Sequence, residues 1–400
     1  MSRPRTAVPG ALALVGVLLV AANLRAPVTV VGPVADDVAA DLALTATQVS
    51  LLVSLPLLCF GVFALVAPRL LARWGIEATS VLALTALAAG IVGRSLPGPG
   101  ALWVGTVLVG AGVATLNVAL PALVKRDFPH RVGQVTGAYS ATQSAFAAVA
   151  AVVAVPLAGT QPQGWRVAFG VWAGLTLVAL AVMTWRWRTA RPVTTPRPAE
   201  VVTWRGSHRS PWRSALGWQV ACYMGLQSTF FYAVVTWWPS VEAEAGFTPA
   251  AAGAHQGLLQ VMGIAASLLA GRVIDRTRAR GQSGLVVLFS GMSAVAVVGE
   301  LLAPGWWPLW IVLLGLGTAA SFVTALSFSG LRTVDHAQAA ALSGMAQALG
   351  YGLAALGPVL LGGLHDATST WTVPLVVLLV LKAPEIVAGA LAGRRRVIGG

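Results

Sequence analysis

The stretch TARPVTTPRPAEVVTWRGSHRSP, residues 189–211, separates two long apolar halves of the chain. It is rich in proline and arginine, and a segment of that composition cannot cross the hydrocarbon core of a bilayer. The 400 residues are 57% hydrophobic and only 10% charged, whereas a soluble domain usually has about 25% charged residues. Together with a mean hydropathy of +0.79, this composition predicts a protein that crosses a membrane many times.

A helix that spans a bilayer needs roughly 20 apolar residues, and six such runs lie on each side of the stretch. The fold class predicted is therefore an all-α membrane protein with twelve transmembrane helices in two pseudo-symmetric six-helix bundles. We expect an N-terminal bundle over residues 1–188, a cytoplasmic linker over 189–212 and a C-terminal bundle over 213–400. The predicted helices are 11–34, 47–68, 78–96, 101–124, 133–158, 165–186, 214–239, 249–272, 283–302, 306–330, 338–362 and 371–392.

The distribution of basic residues predicts the orientation, because Lys and Arg collect in cytoplasmic loops. With a cytoplasmic N-terminus, almost every basic segment falls inside, and only Arg94 and Arg166 lie near the outer face. Glu242 and Glu300 then belong to the outside. We expect a multi-pass protein of the bacterial cytoplasmic membrane with both termini in the cytoplasm. The net charge of +13 reflects this topology, and its dispersal over short segments argues against a nucleic-acid partner.

The two halves share short patterns at a nearly constant offset. Residues 67–73 (APRLLAR) align with residues 270–276 (AGRVIDR) at an offset of 203, and Arg126 aligns with Arg332 at an offset of 206. Secondary carriers built from repeats bind their substrate near the midplane, between the two halves. The repeat therefore indicates a site at the interface of the bundles.

The segment GRVIDRTRAR, residues 271–280, resembles the loop signature G-x-x-x-D-R-x-x-R of the major facilitator superfamily. In that family the loop ties neighbouring helices together on the cytoplasmic side. The resemblance implies a cytoplasmic gate formed by Gly271, Asp275, Arg276 and Arg280. In the first-half counterpart, Ala72 stands where the acid would be, so a weaker loop is expected there.

Three further segments are similar to the cyanate/nitroimidazole transporter (CynX/NimT-type) family. They are NLRAP (23–27), LPALVKRDFPHRVGQVTGAYS (120–140) and SGMAQALGYGLAALGPVLLGGLHD (343–366). This resemblance implies a twelve-helix carrier for small, mostly anionic or polar compounds, without a cofactor.

Arg25 lies inside the first predicted helix, where a charge costs at least roughly 2.5–3.5 kcal/mol. No Asp or Glu falls in the interior of the first eleven predicted helices, and Glu385 on the twelfth has Lys382 three residues before it. Arg25 therefore either binds an anion in a water-filled cavity or holds and gates helices. Its planar guanidinium suits a carboxylate-like anion, and Pro27 permits a local bend.

Other polar side chains recur at helical spacing on the predicted helices. In lipid each of them needs a partner, so they predict surfaces that face protein or water; interhelical hydrogen bonding is the alternative interpretation. The candidate substrate-binding residues are Arg25, Asn23, Asn117, Tyr139, Gln143, Gln227, Tyr232, His255, Gln256, Gln260, Gln347 and Tyr351.

The function expected is secondary active transport of a small anionic or polar compound by alternating access. The alternative is a proton-coupled multidrug or antibiotic exporter, which predicts buried acids in the N-terminal half. We find no catalytic cluster for an enzyme and no metal-ligand pattern. Protons are a candidate coupling ion through His255, which titrates near neutral pH. The expected partners are a small-molecule substrate and the lipid bilayer, and one chain is expected to suffice.

Overall fold

The computed structural model describes residues 10–161, 163–189 and 210–399, and these residues form helices without a strand. Residues 190–209 of the predicted linker lie outside the described residues, so its boundaries stay a prediction. The helices of the first half are α1 (Gly10–Ala22), α2 (Ala26–Thr29), α3 (Ala35–Leu42), α4 (Ala46–Arg94), α5 (Pro99–Asp127), α6 (Val132–Ala158), α7 (Trp165–Gly170) and α8 (Trp172–Thr189).

The second half contains six long helices, with short 3-10 turns at Pro211–Arg213 and Pro304–Trp306. They are α9 (Ala215–Glu244), α10 (Pro249–Arg276), α11 (Ser283–Leu302), α12 (Trp307–Leu331), α13 (His336–Thr368) and α14 (Thr372–Ala392).

Ten helical segments of the described chain are long and apolar enough to cross a membrane. One of them lies in α4, which has 49 residues and a break at Gly75 (φ 82°), so it supplies two crossings of a core about 30 Å thick. The twelfth crossing is α9, with 30 residues, whose glutamines, tyrosines and glutamates lower its hydropathy. The predicted fold of twelve helices in two six-helix bundles is confirmed.

The first crossing is interrupted between α1 and α2. The amides of Asn23 and Leu24 bond to carbonyls three residues back, and Pro27 stands in the first turn of α2. Arg94 Nη2 donates to the Pro27 carbonyl at 2.6 Å, and its guanidinium lies 4.4 Å from the ring centre of Phe169. Arg94 is only 1% exposed, so it supports the helix break from inside the bundle.

Ion pairs join the helices of the first half at the end where α5 stops. Arg126 contacts Glu77 at 2.6 Å and Asp127 at 2.7 Å, and Arg186 contacts Asp127 at 2.6 Å. In the second half the aligned Arg332 donates to the Ala392 carbonyl at 2.6 Å, and burial lowers the pKa of Arg332 to about 10.

Candidate functional site: a cavity between the two halves

A cavity of about 30 Å³ lies between the two halves, beside the break in the first crossing. Helix α6 of the first half faces α9, α10 and α12 of the second half around it. The lining residues are Arg25, Ser140, Ser144, Phe231, Leu259, Gln260, Gly263, Ser267, Gly315, Thr318, Ala319 and Phe322. A water molecule needs roughly 10–15 Å³ of such space, so this volume holds about two waters.

The guanidinium of Arg25 projects into this cavity from the helix break. Its central carbon lies 5.5 Å from the ring centre of Phe231 and 5.6 Å from that of Phe322. The side chain is half-buried, and within the described residues it makes no hydrogen bond and no ion pair. Five N–H donors therefore remain available at this point.

Two of the predicted tyrosines lie beside Arg25. The hydroxyls of Tyr232 and Tyr351 are close enough to its charge to interact electrostatically. The ring of Tyr351 packs on Phe60 with the ring centres 5.2 Å apart. The buried Tyr139 hydroxyl lies near Tyr351 and is directed towards Thr136, without a hydrogen bond of normal geometry.

The predicted glutamines and asparagines divide between the cavity and helix contacts. Gln260 lines the cavity, and Gln143 is buried on α6 without a hydrogen bond in the described chain. Gln347 Nε2 donates to the Asn117 carbonyl at 3.0 Å, which joins α13 to α5 across the interface.

The remaining side-chain amides bond to protein groups: Asn23 and Gln256 bond to other helices, whereas Gln227 bonds within α9. Asn23 donates to the Leu19 carbonyl at 2.8 Å and accepts from Thr176 at 2.7 Å, so it leaves the proposed binding set. Gln227 Nε2 donates to Ser228 at 2.8 Å. Gln256 Nε2 donates to the Val235 carbonyl at 3.3 Å and so joins α10 to α9.

His255 lies outside the cavity, and its contacts correct one sequence prediction. Its Nδ1 lies 2.9 Å from Oε1 of Glu242, so His255 also leaves the proposed binding set. Glu242 is 0% exposed and Glu300 4% exposed, and each lies in the last turn of its helix. Their location at the outer side of the membrane stays a prediction. Pro239 does not end the helix, and α9 continues to Glu244.

Several cavity residues were not predicted from the sequence. Ser140 and Ser144 on α6 line the cavity, whereas the sequence favoured Tyr139 and Gln143, one position earlier. Ser140 and Ser144 are four residues apart and so share one face of α6, as Tyr139 and Gln143 do. The sequence-based prediction used this spacing but chose the face of Tyr139 and Gln143. Nothing in the sequence distinguishes Phe231 and Phe322 as cavity residues, because aromatic residues are common in membrane helices.

At the loop end of the molecule, defined as the end where α10 finishes and α6 begins, polar contacts join the two halves. Both Asp275 oxygens accept backbone N–H groups at 2.8 Å, from Gly133 and Gln134. Arg278 Nη1 donates to the Pro129 carbonyl at 2.6 Å. Helices α6 and α10 approach closely here, since a Cβ on Gly133 would lie 2.6 Å from the Gly271 carbonyl oxygen.

Two arginines of the predicted gate do not take part in these contacts. Arg276 and Arg280 are exposed, and their side chains make no hydrogen bond or ion pair with the described chain. Arg280 also stands one residue beyond the last arginine of the signature, a position that Ala279 occupies. We therefore replace both by Arg278 in the proposed gate.

The family model described as Major Facilitator Superfamily matches residues 14–358. The chain is 39% identical to the 2-nitroimidazole transporter of Escherichia coli (strain K12) over 386 residues, which are 96% of each chain. It is 50% identical to a putative anionic 4-hydroxy-benzoate permease of Thauera aromatica over 108 residues, 26% of this chain and 66% of that one. The expected resemblance to nitroimidazole transporters is confirmed.

Solved structures agree with the fold. The crystal structure of FucP in the outward conformation has a TM-score of 0.72 at 14% identity, covering 97% of this chain and 99% of that one. A family match over residues 14–358, a relative similar along nearly its whole length and the same helical architecture lead to one assignment. The chain belongs to the Major Facilitator Superfamily and is a multi-pass membrane transporter of small molecules.

Proposed function

We propose that this transporter moves a small anionic or polar compound across the bacterial inner membrane by alternating access, with Arg25 binding the anion. The observation that carries this proposal is the unpaired guanidinium in the cavity between the halves. An unpaired charge at membrane depth is costly. A carboxylate or similar anion offsets that cost with charge-assisted, bidentate hydrogen bonds.

The surroundings of Arg25 suit a flat organic anion. Phe231 and Phe322 hold the guanidinium by cation–π contacts, each worth roughly 0.5–2 kcal/mol. The hydroxyls of Tyr232 and Tyr351 and the amide of Gln260 can orient a polar ring. The anionic compound named for the Thauera aromatica relative supports the same substrate class.

The size of the cavity and the contacts at the loop end support alternating access. Space for about two waters is too small for an aromatic anion, so the halves must separate around it. The contacts of Asp275 and Arg278 close the loop end. Because Arg126, Arg272 and Arg278 lie at this end, we assign it to the cytoplasm by the positive-inside rule.

The test measures ligand binding by the purified protein with Arg25 replaced. 4-Hydroxybenzoate and cyanate are the anionic probes, and 2-nitroimidazole is the neutral one; Arg272→Ala on the exposed face of α10 is the matched control. We expect an anion to raise the melting temperature of the wild type and of Arg272→Ala. Arg25→Ala should lose about 10- to 100-fold in affinity, the value of one charged hydrogen-bonded contact. Undiminished stabilisation of Arg25→Ala by the anion would refute the assignment.

A further inference from the structure

A cluster of buried titratable side chains lies away from the cavity, where α9 ends, α10 begins and α11 ends. Glu242 is 0% exposed, and His255 and Glu300 are each 4% exposed. His255 Nδ1 lies 2.9 Å from Glu242 Oε1, which also accepts from Trp238 Nε1 at 3.3 Å. A face of the His255 imidazole stacks on the ring of Trp307, with the ring centres 3.5 Å apart.

Three carboxyl oxygens of this cluster have no hydrogen-bond partner among the described residues. They are Glu242 Oε2 and both oxygens of Glu300. Glu300 lies close enough to Glu242 for the two carboxyls to interact electrostatically. The groups that face them are Trp238 from α9, His255 from α10, Trp307 from α12 and the ring of Phe247, and no Lys or Arg of the described chain pairs with either acid.

Charge accounting requires a proton on this cluster. A protonated His255 and an ionised Glu242 neutralise each other, but Glu300 then has neither a cation nor a donor to compensate a charge. Burial of an unpaired carboxylate costs so much that the group binds a proton instead. His255 is in contact with Glu242 and Glu300 interacts electrostatically with Glu242, and ionisable groups that interact in this way bind protons as a coupled unit. The cluster therefore carries one proton beyond those of the neutralised pair.

The cluster shares two helices with the cavity. Leu259, one turn after His255 on α10, lines the cavity, as does Gln260, and five residues of helix span about 7.5 Å. Gln256 joins α10 to the Val235 carbonyl on α9 between the two sites. A shift of α10 against α9 within the second half would therefore change both the wall of the cavity and the surroundings of the Glu242–His255 pair.

We propose that Glu242, His255 and Glu300 form a proton-binding site that carries one proton with each anion bound at Arg25. This inference rests on the proposed anion site. The step is a proton transfer only: water delivers the proton to the carboxylate of the cluster on one side of the membrane, and the carboxyl returns it to water on the other. One anion and one proton together move no net charge.

The first test needs no substrate. Infrared spectra of the purified protein, recorded from mildly acidic to mildly alkaline pH, should contain a protonated-carboxyl band that disappears as the pH rises. Glu300→Gln should lose this band, and Glu242→Gln should shift its midpoint. Glu244→Gln, on the exposed end of the same helix, is the matched control and should keep the band unchanged. A band that is identical in Glu300→Gln and the wild type, or that does not titrate, would overturn the proposal.

The second test separates the proton site from the anion site. In proteoliposomes with labelled 4-hydroxybenzoate, Glu300→Gln should keep exchange of internal for external anion but lose accumulation driven by a pH gradient. Arg25→Ala should lose both activities. Gradient-driven accumulation by Glu300→Gln equal to that of the wild type would refute the proton site and leave the proposed function intact. If the wild type moves none of the probes, the infrared result decides alone.

Discussion

Asn23 and Arg25 stand two residues apart, yet they face different neighbours. Asn23 is 1% exposed and bonds to Thr176 of α8, whereas Arg25 has no polar partner in the described chain. On a helix two positions are separated by about 200°, and the break between α1 and α2 adds to that separation. Asn23 thus makes a structural hydrogen bond, whereas the guanidinium of Arg25 has no hydrogen-bond or ion-pair partner in the described chain.

Removal of the Asn23–Thr176 bond should lower stability without changing anion affinity. A double-mutant cycle with Asn23→Ala and Thr176→Val should give a coupling free energy of roughly 0.6–1.7 kcal/mol, the range for hydrogen bonds between membrane helices. Thermal unfolding of the four proteins measures it, and the Kd for 4-hydroxybenzoate should stay within about twofold. An affinity loss like that of Arg25→Ala would instead return Asn23 to the binding site.

At this scale the sequence identified the arginine that lines the cavity but missed several other residues of the cavity wall. Arg25 was identifiable because a lone cation in an apolar run has few physical solutions. Ser140 and Ser144 were missed by one position, since α6 packs against helices on several sides and polar residues occupy more than one of its faces. The predicted end of the seventh helix at residue 239 was too early: proline usually ends a helix, but membrane helices tolerate it, and α9 continues to Glu244.

Among the helices, the interrupted first crossing depends on a distant residue. Helix α2 ends at Thr29, and the Val31 amide bonds to the Val28 carbonyl, so the helix does not supply a backbone donor for the Pro27 carbonyl. Arg94, at the end of α4, supplies that donor at 2.6 Å. The sequence predicted the bend from Pro27 but not this partner, because the two residues are 67 positions apart.

Replacement of Arg94 should destabilise the helix break. Arg94→Met keeps much of the side-chain volume but leaves the buried Pro27 carbonyl without a donor, so we expect a loss of about 1.5–3 kcal/mol of unfolding free energy. Arg272→Met on the exposed face of α10 should change stability little. Denaturation of both variants in the same detergent measures the difference. Equal stability of the two variants would mean that Pro27 finds another donor.

Over the whole molecule, the two halves meet closely at the loop end through glycines. Gly271 of α10 lies against Gly133 of α6, and a Cβ on Gly271 would lie 3.0 Å from the Gly133 carbonyl carbon and nearer still to its oxygen. The sequence signature correctly drew attention to Gly271 and Asp275. It could not predict which segment of the other half they contact, because that depends on how the bundles dock.

Valine at position 271 should therefore hold the loop end open. Overpacking of a tight contact costs roughly 1–3 kcal/mol. This cost shifts the equilibrium between the closed and the open loop end about 5- to 150-fold towards the open form. Gly257→Val is the matched control on the same helix, since no atom lies within 4 Å of the added Cβ. We expect Gly271→Val to lose transport while Gly257→Val retains it.

The opening itself can be measured by cysteine labelling. Ser267 lines the cavity one turn before Gly271 and is 3% exposed, so Ser267→Cys reports access after Cys59 and Cys222 are replaced by serine. A water-soluble maleimide should react faster with this cysteine in Gly271→Val than in Gly257→Val. The ratio of the two rates should equal the shift in the equilibrium between the closed and the open loop end, about 5- to 150-fold. Equal rates would show that the halves remain closed despite the added side chain. Alternating access would then depend on a closing contact other than the one between Gly271 and Gly133, because this contact would not control the balance between the closed and open loop end.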